Sequence, residues 1–342
     1  MHKRWFNQAL IEFVIQPAGP ILVKANESQA TPGRPDIAFV RTLRNGTETV
    51  YLPGSSLKGV LRAHCEQIVR GMGDEYVGDK PLEMRPRVWS CDPLDDNHSC
   101  SERAGSKDWP AEQTYREACF ICRMFGHTNL AGRVRTADAY PESEIHVENR
   151  DGVAIDRFYG SVEIGPFTYE VAVGGNFCTR LMVYNFTLAQ LGLLMLSLRD
   201  LKRGRVSVGY GKGRGLGRVT ARIERFAVRY PACELRNGGL HLLGHPKPVT
   251  TSDQLAGVGA FVAVGPEKQK ARPGALFLDE DHCLPLGDVA DLPNGLQLDT
   301  DDWGEVQLEL TDTSQIEQLW TETCVPAWSR TAELQKEETK HD

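Results

Sequence analysis

The sequence lacks the features that mark several common classes of protein. It has no apolar run of transmembrane length, and its start, Met1–Asn7, leads directly into an alternating strand pattern instead of a secretory signal. It also has no excess of positive charge, because 39 Lys and Arg oppose 46 Asp and Glu, for a net charge of -7. We therefore expect a cytoplasmic protein that has no membrane partner and is not a generic basic binder of nucleic acid.

Two glycine-containing segments come close to nucleotide-binding motifs but lack their defining residues. Gly54–Gly59 has the length of a Walker A loop, yet Val60 stands where lysine is needed and no Ser or Thr follows. Gly209–Gly217 never reads GxGxxG, and it follows a helical pattern instead of opening one. Both nucleotide-binding fingerprints are therefore excluded.

Charge is divided unevenly along the chain. Residues 1–225 hold 30 Lys and Arg against 26 Asp and Glu, whereas residues 226–342 hold 9 against 20. The front part can still concentrate cations on one face, and phosphate contacts need only such a local patch. The acidity belongs to the C-terminal part, to which the sequence assigns no role.

Pro53–Arg62, which reads PGSSLKGVLR, places small residues, two hydroxyls and two cations at the start of one predicted helix. Seven apolar side chains recur there at helical spacing: Leu57, Val60, Leu61, Cys65, Ile68, Val69 and Met72. Ser55 or Ser56 is then the natural N-cap, and the free amides of the first turn favour an anion beside Lys58 and Arg62. An ordinary capped helix is the alternative.

The second glycine cluster, Gly209–Gly217, has a bare backbone with cations between and after its glycines. Such a loop allows another backbone to come close, with Lys212, Arg214 and Arg218 available for phosphates. A flexible linker is the alternative, because alternating glycine is typical of flexibility.

Nine cysteines without a secretory signal fit metal ligands and buried thiols better than a disulfide framework. Four of them form a C-x8-C-x18-C-x2-C array, namely Cys91, Cys100, Cys119 and Cys122. The CxxC turn favours tetrahedral zinc in a closed structural site, which would order a polar segment that has almost no aliphatic residues. Free thiols or a redox pair are the alternatives, and His98 could replace a weaker ligand.

The order of predicted elements indicates an α+β fold. We expect strands at Leu10–Val23, Phe177–Phe186 and Val219–Val228, and helices at Ser56–Met72 and Leu188–Leu201. Strand, helix, long insertion, strand, helix, strand is the order of a ferredoxin-like or RRM-like domain with an enlarged middle connection. Proline and glycine become frequent after Tyr230, where we place the boundary of residues 1–230 with the acidic region 231–342.

Four segments in this order resemble the RAMP superfamily, and specifically the repeated backbone subunit of type III CRISPR interference complexes. They are Asp36–Arg62, Cys119–Asp138, Val153–Glu170 and Val208–Val219. The resemblance implies a modified RRM-like palm and a β-hairpin thumb at about residues 150–175. The cysteine array places a zinc-binding insertion at about residues 85–125. It also implies guide RNA, target RNA, further copies of the chain and other CRISPR effector subunits as partners in antiviral defence.

The resemblance also assigns roles to single residues. An Asp shortly before PGSSLKG is required for cutting target RNA in the family, and Asp36 is the residue that matches; one carboxylate suits a weakly held magnesium. Arg157 and Phe158 would lie in the thumb, with Tyr159 and Phe167 as further stacking residues. Independently of the resemblance, Arg123, Arg133 and Arg135 are candidates for phosphate contacts because of their charge.

Three functions stay open on these residues. The first is a backbone subunit that holds the guide RNA and cuts bound target RNA through Asp36 at a regular spacing. The second is a scaffold of the same fold that leaves the cutting to a separate nuclease. The third is a RAMP endonuclease that processes guide precursors alone.

From sequence, the hairpin over Val153–Glu170 is expected to turn at Gly160 and Gly165.

Overall fold

The computed structural model describes residues 4–25, 35–72, 88–95, 97–261 and 287–338. Its strands are β1 (Gln8–Pro17), β2 (Arg41–Arg44), β3 (Thr47–Val50), β4 (Val134–Thr136), β5 (Tyr140–Pro141), β6 (Val147–Ile155), β7 (Val162–Ala172), β8 (Phe177–Tyr184), β9 (Val219–Tyr230), β10 (Cys233–Arg236), β11 (Gly239–Leu242), β12 (Pro248–Thr251), β13 (Gln254–Ala256), β14 (Val289–Asp291), β15 (Asp299–Thr300) and β16 (Val306–Leu310).

The α-helices are α1 (Gly54–Arg70), α2 (Cys100–Ser106), α3 (Ala111–Glu117), α4 (Phe120–Phe125), α5 (Leu188–Lys202), α6 (Thr313–Leu319) and α7 (Val325–Glu338). Short 3-10 helices cover Lys212–Arg214 and Val258–Phe261, and one π-helical turn covers Trp320–Cys324. None of the helices in the described ranges combines the length and the apolarity that crossing a bilayer requires.

The palm is a ferredoxin-like sheet with helices on one face. Its elements follow the order β1, α1, β4, β8, α5, β9, and the strands lie side by side as β9, β1, β8, β4, all antiparallel. This is the β-α-β-β-α-β arrangement, so the α+β, ferredoxin-like prediction is confirmed. Along β8, buried and partly exposed residues alternate, so the β8 side chains on the face away from the helices are partly exposed.

The sequence located the palm elements well but extended the first strand too far. The strand expected over Leu10–Val23 ends at Pro17, because proline cannot donate to the sheet ladder and Gly19 and Pro20 follow. Beyond it, Ile21 forms only an isolated bridge with Ala172.

The thumb hairpin consists of β6 and β7, which pair only with each other in a two-stranded sheet. Its turn lies between Ile155 and Val162, where Phe158 N donates to the carboxylate of Asp156 at 2.7 Å. Gly165 lies within β7, so the second turn expected there is wrong.

The acidic C-terminal part shares the sheet and the core of the palm. Strand β16 pairs with β9, with Leu308 opposite Val228, and β15 pairs with β16. Twelve of the 15 residues of α5 are buried, so the helix needs cover on its outer side as well as from the sheet. Helix α7 supplies that cover, because its Trp328 and the preceding Cys324 lie directly against Gly192 of α5.

The contact at Gly192 predicts a large loss of stability on substitution. A Cβ atom at this position would lie 2.9 Å from Cβ of Trp328 and closer still to the carbonyl of Cys324. We expect Gly192→Leu to lower the free energy of unfolding by roughly 3 kcal/mol, because overpacking forces α5 and α7 apart. Urea unfolding measures the loss.

Gly59 provides the matched control for this substitution. It is an exposed glycine of α1, and a Cβ atom there meets nothing within 4 Å. Gly59→Ala should therefore stabilise the protein by up to about 1 kcal/mol. Equal unfolding curves for Gly192→Leu and the wild type would contradict the cover of α5 by α7.

Candidate nucleic-acid interface and metal centre

The first turn of α1 is anchored by an aspartate instead of a serine cap. Pro53 occupies the N-cap position and makes no side-chain capping bond, so the expected cap at Ser55 or Ser56 is wrong. Both serines already lie within the helix, Ser55 exposed and Ser56 half-buried. The amide of Gly54 donates to the carboxylate of Asp138 at 2.7 Å. This bond fixes the helix start against the segment that follows β4.

Lys58 faces a cationic environment near the start of α1. Burial lowers its pKa, and the charges of Arg62 and Arg135 lower it further. No hydrogen bond or ion pair of its ammonium occurs among the described residues, whereas Arg135 is exposed. A phosphate placed between Lys58 and Arg135 would relieve this repulsion.

Three arginines that were expected to contact phosphates are engaged inside the protein. Arg62 donates to Glu66 at 2.8 Å and to the Gly126 carbonyl at 2.8 Å. Arg123, only 6% exposed, donates to two backbone carbonyls of α3, and Arg133, 2% exposed, donates to the Asn185 carbonyl at 2.8 Å. Hydrogen bonds within the protein therefore engage all three guanidinium groups, and burial argues against a phosphate contact at Arg123 and Arg133.

Several glycines of the segment Gly209–Arg218, called the glycine loop below, are required by close contacts within the chain. Gly209 has φ +88°, and any Cβ atom there would collide with the Leu22 carbonyl. Tyr210 N donates to that same carbonyl at 2.7 Å, and Gly217 N donates to the Pro20 carbonyl at 2.9 Å. The loop is therefore docked on the segment after β1. The cations it carries, Lys212, Arg214 and Arg218, are exposed.

Asp36 lies at the base of the thumb. One carboxylate oxygen, Oδ2, accepts from the Thr168 amide at 2.8 Å and from the Thr168 hydroxyl at 3.3 Å. The side chain is exposed, so its other oxygen faces solvent. The next residue, Ile37, pairs with β7 through its own amide and carbonyl. Residues 31–34 of the same loop lie outside the described residues.

The glycine loop and the Asp36 loop contact neighbouring residues of the same thumb strand, Phe167 and Thr168. Arg214 lies 5.1 Å from the ring centroid of Phe167, which is the neighbour of Thr168 in β7. Farther along the hairpin, Arg157 is exposed and Phe158 is 85% exposed, with the Tyr159 ring in edge contact at 4.8 Å. Phe158 and Tyr159 are thus free for stacking, whereas Phe167 packs at the thumb base.

Sequence reasoning missed the residue that fixes the Asp36 loop. Glu170, which is 7% exposed, accepts from the Phe39 amide at 2.8 Å and from Arg41 at 2.6 and 3.1 Å. A bidentate pair of this kind is strong and directional. In the sequence, the only indication of this role was that Glu170 occupies a position of an alternating strand that is expected to face the interior.

The four cysteines of the predicted array form a buried cluster that could hold a metal such as zinc. All four sulfur atoms lie within 4.8 Å of one another, and Cys91 Sγ is 3.7 Å from Cys122 Sγ and 3.8 Å from Cys119 Sγ. Tetrahedral zinc with sulfur ligands at about 2.3 Å requires separations of about 3.8 Å. His98 instead bonds to Asp95 at 2.9 Å, so all four ligands would be thiolates.

Donors around the cluster would stabilise thiolates. The amides of Cys119 and Cys122 donate to the sulfurs of Cys100 and Cys119 at 3.2 and 3.3 Å. Arg62 reaches Cys122 Sγ at 3.5 Å, and Arg103 reaches Cys100 Sγ at 3.7 Å. A hydrogen bond from Cys119 holds the pKa of the Cys100 thiol well below its usual value, whereas burial raises the pKa of the Cys119 thiol, so that without a metal the charge is concentrated on Cys100. Two guanidinium groups would offset the excess charge of four thiolates on a divalent ion.

The remaining cysteines of the described chain are separate from this cluster. Cys65, Cys233 and Cys324 are buried and Cys178 is half-buried, which fits small hydrophobic residues. Cys283 lies outside the described residues.

The fold and the sites together define a ferredoxin-like domain with a thumb hairpin and a four-cysteine insertion. A model of the RAMP superfamily matches residues 19–220, which is more than half of the sequence, and the chain therefore belongs to the RAMP superfamily. No curated protein matches the sequence. Family membership indicates a CRISPR-associated subunit, and proteins of this family typically assemble with CRISPR RNA and other Cas subunits.

Proposed function

We propose that the protein is a backbone subunit of a type III-like CRISPR effector, which binds guide RNA, polymerises along it and cleaves the bound target RNA at a regular spacing. The observation that carries this proposal is the meeting of Asp36 and the cationic glycine loop on one thumb strand. An RNA strand that follows the exposed cations would pass next to an exposed carboxylate.

Binding of RNA is supported by cations that have no acidic partner. Among the described residues, no ion pair involves five basic side chains of α1, β4 and the glycine loop: Lys58, Arg135, Lys212, Arg214 and Arg218. An overall acidic protein needs only such a local patch to hold a phosphate backbone.

Cleavage would need only positioning and charge neutralisation. The 2′-oxygen of the target RNA forms a bond to its own phosphorus, the bond to the 5′-oxygen breaks, and the 2′ proton leaves to water while the 5′-oxygen takes one up. Asp36, held through Oδ2, would direct its free oxygen to a hydrated magnesium ion near this phosphate. The described residues hold no carboxylate cluster of three potential ligands, which fits a weakly bound ion.

A non-catalytic scaffold is the second candidate. It is favoured by the exposure of Asp36, whose hydrogen bonds to Thr168 also suit a purely structural role at the loop. Cleavage by a separate recruited nuclease would then account for target destruction. A cutting assay on guide-loaded protein separates the two functions.

We further infer that the ion in the cysteine cluster is zinc and that it is structural. Four thiolate ligands leave no open coordination position for chemistry. The cluster instead supports α1, because Arg62 and Arg70 of that helix bond to Cys122 Sγ and to the Cys91 carbonyl.

RNA affinity should depend on Lys58. We expect Lys58→Glu to weaken binding of single-stranded RNA by roughly tenfold or more, and to lower the slope of log affinity against log salt by about one contact. Fluorescence anisotropy at several salt concentrations measures both quantities.

Lys247→Glu is the matched control, since Lys247 is exposed in the turn between β11 and β12 and undergoes the same change of charge. It should leave affinity and salt slope at wild-type values. If Lys58→Glu does the same, the phosphate site at α1 is wrong.

A further inference from the structure

The face of the palm sheet that carries the partly exposed side chains of β8 has an aromatic surface near its β4 edge. We propose that Trp5, Tyr184 and Arg135 form a stacking platform for an unpaired RNA base. This inference rests on the proposed RNA-binding function and adds to it a site on the sheet, away from the thumb.

The three side chains form one continuous surface. Trp5 is 47% exposed, and its ring centroid lies 5.8 Å from that of Tyr184 in an edge contact. The guanidinium of Arg135 lies 4.7 Å from the centroid of the Tyr184 ring. Arg135 pairs with Met182 across the strands, which places it on the same face of the sheet as Tyr184. Aromatic rings combined with an arginine are the surface on which unpaired bases stack.

The platform is held in place before any ligand binds. Asn185 ends β8 with φ +48°, and its side chain donates to the Arg4 carbonyl at 2.7 Å and accepts from the Phe6 amide at 2.9 Å. Both peptide neighbours of Trp5 are therefore clamped to the end of β8. An exposed tryptophan with a fixed backbone loses little conformational entropy when a base stacks on it.

Charge favours a nucleic-acid strand over an apolar peptide as the occupant. Arg135 has no acidic partner among the described residues and lies close enough to Lys58 for their charges to repel. The acidic residue of β1 on this face, Glu12, is already paired with Arg225 at 3.7 Å. A strand whose phosphate binds between Lys58 and Arg135 would carry its base to the exposed Trp5 ring and the outer side of the Arg135 guanidinium, which covers the Tyr184 ring. Stacking of this kind tolerates any base, because every base has a π face.

The test separates stacking from phosphate contacts. The full-length protein is titrated with labelled single-stranded oligouridine, and with an oligomer of the same length in which every base is replaced by an abasic ribose. The ratio of the two affinities reports stacking alone. We expect Trp5→Ala and Tyr184→Leu each to reduce this ratio by roughly tenfold. Trp303→Ala is the control, since Trp303 is 95% exposed in the turn before β16, at the opposite edge of the sheet.

Each outcome is informative. Lys58→Glu should weaken binding of both oligomers and leave the ratio intact, which shows that the two effects are independent. An unchanged ratio in Trp5→Ala, whose ring is 47% exposed, would overturn the platform while RNA binding itself stands. If the wild type binds neither oligomer, the proposed function and the platform fall together.

Discussion

Asp36→Ala is expected to abolish target cleavage in the guide-loaded complex, with a loss of at least about a hundredfold in the single-turnover rate. Removing a group that neutralises charge at a reacting phosphate typically has an effect of this order. Affinity for guide RNA should remain near the wild-type value, because the cations that would hold it are the half-buried Lys58 of α1 and the exposed cations of the glycine loop. Gel analysis of end-labelled target, with and without magnesium, measures cleavage.

Two further variants and one modified target serve as controls for this result. Asp36→Asn keeps an acceptor for the Thr168 amide but removes the charge, so we expect it to be as inactive as the alanine variant. Asp302→Ala, at an exposed aspartate of the distant β15–β16 turn, should cut normally. A target with deoxyribose at the cut position should resist cleavage, because it lacks the 2′-oxygen. Wild-type cutting by Asp36→Ala, or no cutting by the wild type, would leave the scaffold function in its place.

The cysteine cluster predicts the largest effect on stability. We expect about one zinc ion per chain, and Cys119→Ser combined with Cys122→Ser should remove it and lower the free energy of unfolding by several kcal/mol. Binding of structural zinc contributes directly to folding, on the order of 10 kcal/mol in small domains. Elemental analysis gives the stoichiometry, and thermal unfolding gives the change in stability.

Cys178→Ser serves as the control, since Cys178 is half-buried in β8 and outside the cluster. It should retain the metal and unfold near the wild-type temperature. A metal content near zero in protein purified without chelator, or an unaltered melting temperature for the double variant, would refute a structural zinc.

Local patterns predicted those parts of the protein that local physics decides. The spacing of apolar residues located α1 and α5, because a helix that packs on a sheet must bury a stripe. The CxxC turn located the cysteine cluster, because Cys119 and Cys122 are only three residues apart in the sequence.

The availability of individual cations could not be predicted in this way. Arg133 and Arg135 are two residues apart in the same motif, yet one is buried against Asn185 and the other is exposed. The contact that buries Arg133 joins residues 52 positions apart in the sequence. The bond that places Asp36 on Thr168 likewise joins residues 132 positions apart. No pattern in a short window contains that information.

The ends of the palm sheet limit how copies of the chain can associate. In the described residues the palm sheet ends in β15, with two residues, on one side, and in β4 and β5, with three and two residues, on the other. Edges this short offer too few free amides and carbonyls for an incoming strand. Backbone pairing at the palm sheet would therefore contribute little to the association of copies. In the proposed filament, the length of the guide RNA would therefore set the number of copies that assemble.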